Sequence, residues 1–286
     1  MVRDIADSAA PFSGRLEPAA FHPGPPQEEA LARLEWLVTG RQRCGIVTGD
    51  AGHGKSHLAA TAARRLGGLG CEVAVLSLAG LPEGEWIDLV LERLPLDAAS
   101  RAESSRPWQK LESRLRENAL MERPTVIVCD DVDRGPADAA EGIARIASAV
   151  ESRFSWSLVV ATAAPAGLDR VPDALRQRAA LRIELVPWTE GETAAFLAWE
   201  LARHGRSPDV FTAEAAATLA RFAGGVPRDV CRLARLALAA AAGDGAERIA
   251  AATIERVWRE LVPSEPAREA ETVVPPRLRA GRLPRD

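Results

Sequence analysis

The segment GDAGHGKSH, residues 49–57, constrains the fold of this chain more than any other stretch. It contains the pattern GxxxxGKS, with three glycines in six residues before a lysine and a serine. The apolar run CGIVTG leads directly into it, and KSHLAATAARRLGGLG, with the spacing of a helix, follows. Strand, glycine-rich loop and helix in this order allow backbone N–H groups to surround a phosphate. The sequence therefore predicts a phosphate-binding loop at this point.

Lys55 stands out because only two of the 36 basic residues are lysines, the other being Lys110. A chain that uses arginine almost everywhere keeps lysine here, where a compact cation on a flexible stem can follow a β- or γ-phosphate. Ser56 offers a hydroxyl group to Mg²⁺. The alternative interpretation is a glycine-rich turn with an incidental lysine, and it does not account for the strand and helix on either side.

We expect the whole loop to contact the phosphates, helped by the free N–H groups and dipole of the helix that it opens. The glycines supply the backbone angles that turn successive N–H groups inward. The predicted phosphate-contacting residues are Gly49, Asp50, Ala51, Gly52, His53, Gly54, Lys55, Ser56 and His57. Both histidines occupy positions that the pattern leaves open, and no set of metal ligands completes around them. We therefore interpret the two imidazoles as incidental.

A second signal lies at the end of another predicted strand, PTVIVCDDVD, which is apolar on both faces until it reaches Asp130 and Asp131. Carboxylates at the carboxyl end of a parallel strand face the crevice where such sheets bind ligands. We expect Asp130 to hold Mg²⁺ through water and Asp131 to orient the attacking water, because phosphoryl transfer depends on positioning and charge. The alternative is a solvated acidic turn, and this alternative applies more strongly to Asp131 than to Asp130.

The fourth predicted strand, SLVVATAAP, ends at Thr162. Its hydroxyl is a candidate to contact the γ-phosphate or the attacking water. A buried strand threonine whose hydroxyl is satisfied by the backbone is the alternative.

Strand and helix patterns alternate from residue 26 to 187, which predicts a three-layer α/β/α domain around a parallel sheet of five strands. Four of the strands are mostly apolar. The fifth, LRIEL, alternates, with Leu181, Ile183 and Leu185 on one face and Arg182 and Glu184 on the other. Because continuous apolar strands suit a covered sheet and alternation suits an edge, we expect the fifth strand at the edge.

After Trp188 only helical patterns follow, at about 190–204, 212–223, 227–242 and 249–261. We predict four regions: an extended N-terminal arm over 1–25, the α/β base over 26–187, a small all-α domain over 188–262, and a disordered Pro- and Arg-rich tail over 263–286.

These features together resemble an AAA+ P-loop ATPase, and within that group the ATPase domain of the ExeA family (general secretion pathway protein A), with TniB-type transposition ATPases as relatives. The resemblance covers about residues 20–262. Its motifs are Walker A (Gly49 to Ser56), Walker B (Val126 to Asp131), Thr162 as sensor 1, the junction LRQRAALRIELVPWTEGETAAFL, and GGVPRDV with Arg228 as sensor 2.

The resemblance implies binding of ATP and Mg²⁺, ATP hydrolysis in a homo-oligomer such as a ring, and an α-helical lid over the nucleotide. It implies that Arg228 reaches the γ-phosphate from the start of a lid helix, and that an arginine finger serves the neighbouring subunit. Arg178 is our choice for this finger and Arg176 the second choice, whereas Arg182 lies on the polar side of the edge strand. On the lid helix, Arg228, Arg232 and Arg235 share one face, opposite the apolar Val230, Leu233, Ala237 and Leu238.

Two departures from the family bear on activity. The family usually has Asp-Glu in Walker B, whereas this chain has Asp131 at the Glu position, so its shorter side chain puts fast hydrolysis in doubt. Secretion ATPases of the family often continue into a membrane helix and a peptidoglycan-binding domain, and we expect neither here. A motor or switch acting on an unknown protein partner is the leading hypothesis. The alternative is an ATP-gated recruitment module with weak hydrolysis.

Composition limits the other functions. A net charge of −4 argues against general nucleic-acid binding, although the tail arginines Arg277, Arg279, Arg282 and Arg285 leave DNA binding, as in transposition, as a third hypothesis. The N-terminus has no secretory signal and no run of 18 apolar residues occurs, so we expect no membrane insertion and a cytoplasmic protein. The four cysteines are far apart, and we expect them to be reduced and mostly buried.

Overall fold

The computed structural model describes residues 10–14, 16, 20–94, 106–148 and 157–261. Its sheet has five strands, which are β1 (Cys44–Thr48), β2 (Glu72–Ser77), β3 (Thr125–Asp130), β4 (Ser157–Ala163) and β5 (Leu181–Glu184). Every strand pair is parallel, and the strand order is β2-β3-β4-β1-β5. The predicted five-stranded parallel sheet is confirmed.

Ten helices are seen in the described ranges. Those of the α/β part are α1 (Pro25–Thr39), α2 (Lys55–Gly68), α3 (Trp86–Arg93), α4 (Pro107–Leu120), α5 (Ala137–Ser148) and α6 (Asp173–Arg178). Those that follow are α7 (Glu190–Arg203), α8 (Ala213–Ala223), α9 (Pro227–Gly243) and α10 (Ala251–Leu261). Short 3₁₀ helices span Val132–Arg134, Pro165–Arg170 and Pro208–Val210.

Alternate residues of the central strands enter opposite cores, because side chains on a strand point to opposite faces. Val126 and Val128 of β3 join the core under α1 and α2, whereas Ile127 and Cys129 join the core under α3, α4 and α5. Strands β1, β3 and β4 are buried along their whole length. The sheet is therefore covered on both faces, which gives the predicted three-layer α/β/α fold.

Strand β5 lies at the edge of the sheet beside β1, as its alternating sequence predicts. Ile183 is buried and Leu181 is half-buried, while Arg182 and Glu184 are exposed. One face of the strand thus packs on the core and the other meets solvent.

The four helices after Trp188 form their own apolar cluster, to which each of them contributes. On α9, Val230, Leu233 and Ala237 are buried and Leu238 is half-buried, while Arg228, Arg232 and Arg235 are exposed on the other side. The two predicted faces of this helix are confirmed. We refer to residues 188–261 as the helical domain, and the domain boundaries themselves remain predictions.

Part of the N-terminal arm packs on the helical domain. Phe12 is 2% exposed and belongs to the apolar cluster of that domain. Nothing in the local sequence predicts this contact. The tail over 263–286, with its four arginines, lies outside the described residues.

The four cysteines are free thiols, three of them buried and Cys231 half-buried, as expected. Burial raises the pKa of the Cys44 thiol to about 12 and that of the Cys231 thiol to about 12. These thiols are protonated at neutral pH.

A buried ion pair joins α4 to the edge strand β2. The Arg114 guanidinium donates to both carboxylate oxygens of Glu72, with Nη2–Oε1 at 2.6 Å and Nε–Oε2 at 3.2 Å. Asn118 donates to Glu72 as well, and also to Thr125 Oγ1 at 2.8 Å. All four residues are buried, so the network depends on every member being paired.

We predict that Arg114→Ala destabilises the fold strongly because it leaves the Glu72 carboxylate buried without its countercharge. The expected cost is about 3–5 kcal/mol in the free energy of unfolding, measured by chemical denaturation. The double variant Glu72→Met with Arg114→Met should lose much less, since it removes both charges. A cost of Arg114→Ala below about 1 kcal/mol, the range of exposed pairs, would contradict this assignment.

Candidate functional site

The candidate site lies at the carboxyl ends of β1, β3 and β4, where the glycine-rich loop and the acidic residues meet. A cleft of about 560 Å³ opens there between the loop, the ends of the strands and the helical domain. Its volume falls in the range of sites that bind small organic ligands. Residues Ala51 to His57, Asp131 and Arg228 line it.

The loop after β1 has the conformation that its glycines allow. Gly52 and Gly54 have positive φ angles of 93° and 90°, in the left-handed region that other residues rarely adopt. Helix α2 begins at Lys55 with no side chain capping its first turn. The N–H groups of that turn therefore remain available for a ligand in the cleft.

Lys55 is buried and folds back over the loop. Its Nζ donates to the carbonyl oxygen of Gly49 at 2.7 Å and to that of Asp50 at 3.2 Å. The ammonium group thus lies at the centre of the loop, with its charge satisfied by two carbonyl dipoles rather than by a carboxylate.

His53 closes the turn of the loop. The N–H of Asp50 donates to His53 Nδ1 at 2.9 Å, and the N–H of His53 donates to the carbonyl of Asp50 at 3.2 Å. Because Nδ1 accepts, the proton of the neutral ring must be on Nε2. The imidazole of His53 therefore has a structural contact within the loop, which the sequence analysis did not predict. The ring of His57 packs edge-on against Phe21, with 5.4 Å between the ring centroids.

Thr162 connects the ends of β3 and β4. Its hydroxyl donates to Asp130 Oδ1 and accepts from the N–H of Asp131 at 2.9 Å. Both Asp130 and Thr162 are buried beneath the cleft, while Asp131 lines it. The alternative of a threonine satisfied inside the protein thus holds in this structure, but its partners are the two predicted site aspartates.

Asp131 occupies an unusual position. Its φ angle is 55°, and its carboxylate lies 3.9 Å from Nη1 of Arg134. Burial, and next the negative charge of Asp130, raise the pKa of the Asp131 carboxyl above its ordinary value, against smaller opposite effects of Lys55 and Arg134. The surroundings of Asp131 therefore disfavour its ionised form relative to a free carboxyl group.

Asp133, the next acidic residue, is a site residue that the sequence analysis passed over. It is buried, and its Oδ2 accepts from the N–H of Ala164, just after β4, at 3.3 Å. Gly167 packs so closely that a Cβ atom there would lie 2.0 Å from Oδ2. Asp133 thereby fixes the segment that leads from Thr162 towards α6. Asp133 is the third acidic residue of DDVD, and this run of acids is the sequence signal that could have indicated it.

The helical domain contacts the loop directly. The backbone N–H of Arg228, at the start of α9, donates to the carbonyl of Gly52 at 3.2 Å. A Cβ at Gly52 would lie 2.8 Å from Val226 Cγ1 and 3.1 Å from the Cβ of Arg228. Arg228 therefore lies beside the loop and lines the cleft with an exposed side chain, and its role as sensor 2 remains a prediction.

The two candidate finger residues lie on α6, and neither lines the cleft of its own chain. Arg176 pairs with Asp173, and its Nη1 lies 3.6 Å from Asp169 Oδ1. Arg178 is exposed and makes no ion pair within the described ranges. Of the two arginines, only Arg178 has a guanidinium group without an ion pair in the described part of the chain.

Comparison with known proteins identifies the fold. Residues 38–166 match the family described as AAA domain. RuvB of Thermotoga maritima, a Holliday junction branch migration motor, is 19% identical with a TM-score of 0.56, covering 82% of this chain and 69% of its own. Cdc6p of Pyrobaculum aerophilum is 16% identical with a TM-score of 0.60, covering 86% and 71%. ORC2 of Aeropyrum pernix, solved in ADPNP–ADP complexes, is 16% identical with a TM-score of 0.59, covering 81% and 66%.

These findings show an α/β P-loop NTPase fold, in which residues 38–166 are similar to the AAA domain family. At such low identity, the solved structures establish the fold alone. No curated protein sequence gives a significant match to this chain. Within the described ranges, no helix is long and apolar enough to cross a membrane.

We predict that Asp131→Asn raises the melting temperature at neutral pH, by about 1–2 °C for a gain near 0.5 kcal/mol. The raised pKa means that the ionised Asp131 carboxylate destabilises the folded protein. Wild type is therefore destabilised at pH values above this pKa, and the destabilisation disappears as the pH falls and the group becomes protonated. Asparagine tolerates the left-handed backbone as aspartate does. The gain, followed by differential scanning fluorimetry, should therefore shrink between pH 7.5 and pH 4. Asp209→Asn, on the exposed surface, is the control. A gain that is equal at both pH values would contradict the prediction.

Proposed function

We propose that this protein binds ATP with Mg²⁺ and hydrolyses it, acting as an oligomeric AAA+ motor or switch on a macromolecular partner. One observation carries this proposal: two groups of residues meet at the same end of the sheet. The first is the loop between β1 and α2, with Lys55 at its centre. The second is the hydrogen-bonded group of Asp130, Asp131 and Thr162. Positioned cations, open N–H groups and carboxylates are the parts that phosphoryl transfer requires.

The phosphates would bind in the loop. Residues Ala51 to His57 line the space, and the uncapped start of α2 directs N–H groups towards it. Lys55 would exchange its two carbonyl partners for phosphate oxygens, which accept more strongly because they are charged. The loop carbonyls that hold the ammonium group thus keep it in place until the phosphates arrive.

The residues at the site fit Mg²⁺. The Ser56 hydroxyl and the Asp130 carboxylate would supply oxygen ligands, and Mg²⁺ usually takes one or two protein ligands, with phosphates and water completing its coordination. When bound, the ion neutralises charge that develops on the phosphates. The bond from Thr162 to Asp130 Oδ1 fixes the orientation of that carboxylate.

Asp131 and Thr162 would position the attacking water. In hydrolysis the water oxygen bonds to the γ-phosphorus, the bond to the bridging oxygen of ADP breaks, and the water proton passes to phosphate or carboxylate. Asp131 lies on the cleft and is anchored through its own N–H to the Thr162 hydroxyl. Arg228, held at Gly52, would contact the γ-phosphate from the helical domain.

An adenine base would pack on the apolar part of the cleft lining. Leu16 and Val186 line this part and are 61% and 58% exposed, which is unusual for large apolar side chains, and Phe21 and Trp188 also contribute. Apolar walls of this kind suit a planar base. The similarity to a structure solved with ADPNP and ADP is consistent with an adenine nucleotide.

We propose a homo-oligomer, with a ring as the natural arrangement, in which Arg178 of one subunit serves the site of the next. The exposed, uncommitted guanidinium of Arg178 supports this choice over Arg176, which Asp169 and Asp173 already hold. We further propose a cytoplasmic protein of the ExeA-like branch with TniB-type relatives, on the spacing of the Walker and sensor motifs.

A second candidate function is an ATP-gated recruitment module with weak hydrolysis. The observation that favours it is Asp131, whose carboxylate is short, faces Arg134 and has a raised pKa. A DNA-binding role, as in transposition, rests on the arginines of the tail and on the similarity in fold to a branch migration motor.

We predict that ATP turnover rises with protein concentration and disappears in Lys55→Ala. Asp131→Glu should raise turnover by at least about tenfold, because the longer side chain brings the carboxylate closer to the water. The measurement is phosphate release over a concentration series, beside nucleotide binding. Wild type that binds no ATP would refute the function as a whole, whereas tight binding with negligible turnover would favour the recruitment module.

We predict that Arg178→Ala lowers turnover by about 10³-fold without preventing ATP binding, since an arginine finger acts on the transition state. Arg176→Ala, on the same helix, is the matched control and should have little effect. Mixing Arg178→Ala with Lys55→Ala should restore part of the activity, because one subunit keeps its site and the other keeps its finger. No restoration in the mixture would contradict a finger supplied between subunits.

A further inference from the structure

Arg134 is a cation at the cleft that the proposed chemistry leaves unused. The residue ends the short 3₁₀ helix Val132–Arg134, which directly follows Asp131. In the described part of the chain, the arginines that line the cleft are Arg134, from the base, and Arg228, from the helical domain. The base thus brings a guanidinium group to the cleft that Lys55 also lines, next to Asp131.

The backbone around Arg134 is held firmly by its neighbours. The two residues before it, Val132 and Asp133, are both buried. The residue after it, Gly135, packs so closely on Leu78 that a Cβ atom there would lie 2.7 Å from the Cβ of Leu78. Packing on both sides therefore fixes the point from which the Arg134 side chain starts.

The guanidinium group, in contrast, is held loosely. The side chain of Arg134 is 66% exposed, and its one ion pair within the described ranges is with Asp131, whose Oδ2 lies 3.9 Å from Nη1. This distance exceeds that of a hydrogen bond, so the contact is only an electrostatic one. Exposed ion pairs of this kind stabilise a protein weakly. The guanidinium group can therefore leave Asp131 at little cost.

A terminal phosphate would be a stronger partner for this group than Asp131 at such a distance. A planar guanidinium group donates two parallel hydrogen bonds to phosphate oxygens, and bonds between charged groups are stronger than neutral ones. Asp131 is the residue proposed to position the water that attacks the γ-phosphorus. A guanidinium group 3.9 Å from its carboxylate therefore lies beside the place of the γ-phosphate, which ADP lacks.

We propose that Arg134 distinguishes ATP from ADP: its guanidinium group exchanges the Asp131 carboxylate for the γ-phosphate of ATP. This inference rests on the proposed binding of ATP. It gives the base an arginine that acts on the site of its own chain. This role is separate from those proposed for Arg228 of the helical domain and for Arg178 at the neighbouring subunit.

The test is the affinity of the full chain for ADP and for the non-hydrolysable ATP analogue ADPNP, each with Mg²⁺, measured by isothermal titration calorimetry. Arg134→Gln should weaken ADPNP binding by about tenfold, as expected for a lost hydrogen bond to a charged group, and ADP binding by less than about twofold. Arg134→Lys keeps the charge without the planar fork, so its ADPNP affinity should fall in between. Arg170→Gln is the matched control, because Arg170 also ends an exposed 3₁₀ helix of the base and does not line the cleft.

A double-mutant cycle tests the exchange itself. Asp131→Asn removes the group that competes for Arg134, and it also removes a negative charge from the cleft. Only the first of these effects requires Arg134. The change in ADPNP affinity on Asp131→Asn should therefore be more favourable in wild type than in the Arg134→Gln background, by about two- to threefold for a weak ion pair. Equal changes in the two backgrounds would contradict the exchange.

Three results of the binding measurements would overturn the inference. They are equal weakening of both nucleotides in Arg134→Gln, unchanged ADPNP affinity in that variant, and the same selective loss in Arg170→Gln, which would reveal a general effect of charge. Retained ADP binding shows that Arg134→Gln is folded. Failure of wild type to bind either nucleotide would instead refute the proposed function, and it is recognised without any variant.

Discussion

The position of β4 between β1 and β3 is the constraint on which the candidate site depends. Neighbouring strands lie about 4.8 Å apart, so the ends of β1 and β3 are separated by about 10 Å. Thr162, at the end of β4, occupies the intervening space and binds both Asp130 and Asp131. The sheet order thus sets the spacing between the strand that leads to Lys55 and the strand that ends in the two aspartates. The Thr162 hydroxyl fixes those aspartates.

Gly52 then determines how the helical domain meets this edge of the sheet, and Gly225 fixes the segment before α9 within that domain. Gly52 accepts the N–H of Arg228 in a space where Val226 leaves no room for a Cβ. At Gly225 a Cβ would lie 2.0 Å from the carbonyl oxygen of Trp188, and the N–H of Trp188 donates to the carbonyl of Gly225 at 2.8 Å. Both contacts are between backbones, which bend less than side chains do. The start of α9 is therefore tied to the loop by a backbone hydrogen bond.

The sequence was sufficient for features that depend on local pattern. The strand–loop–helix around Lys55, the edge position of β5 and the two faces of α9 each follow from the order of apolar and polar residues. Contacts between distant segments were not predictable. Phe12 binds Glu200, which is 188 positions away, and Arg114 binds Glu72, which is 42 positions away. Periodicity reports which face of an element is buried but not what covers it, and the arm has no periodicity.

Asp131 shows how the site resolves a conflict between stability and chemistry. Its backbone lies in the left-handed region, and burial together with the charge of Asp130 raises the pKa of its carboxyl group. Nothing in the packing requires an acid at this position, since the Thr162 hydroxyl binds the N–H of Asp131 and not its side chain. A residue that the fold tolerates at a cost, at the mouth of a cleft, is best explained by a ligand.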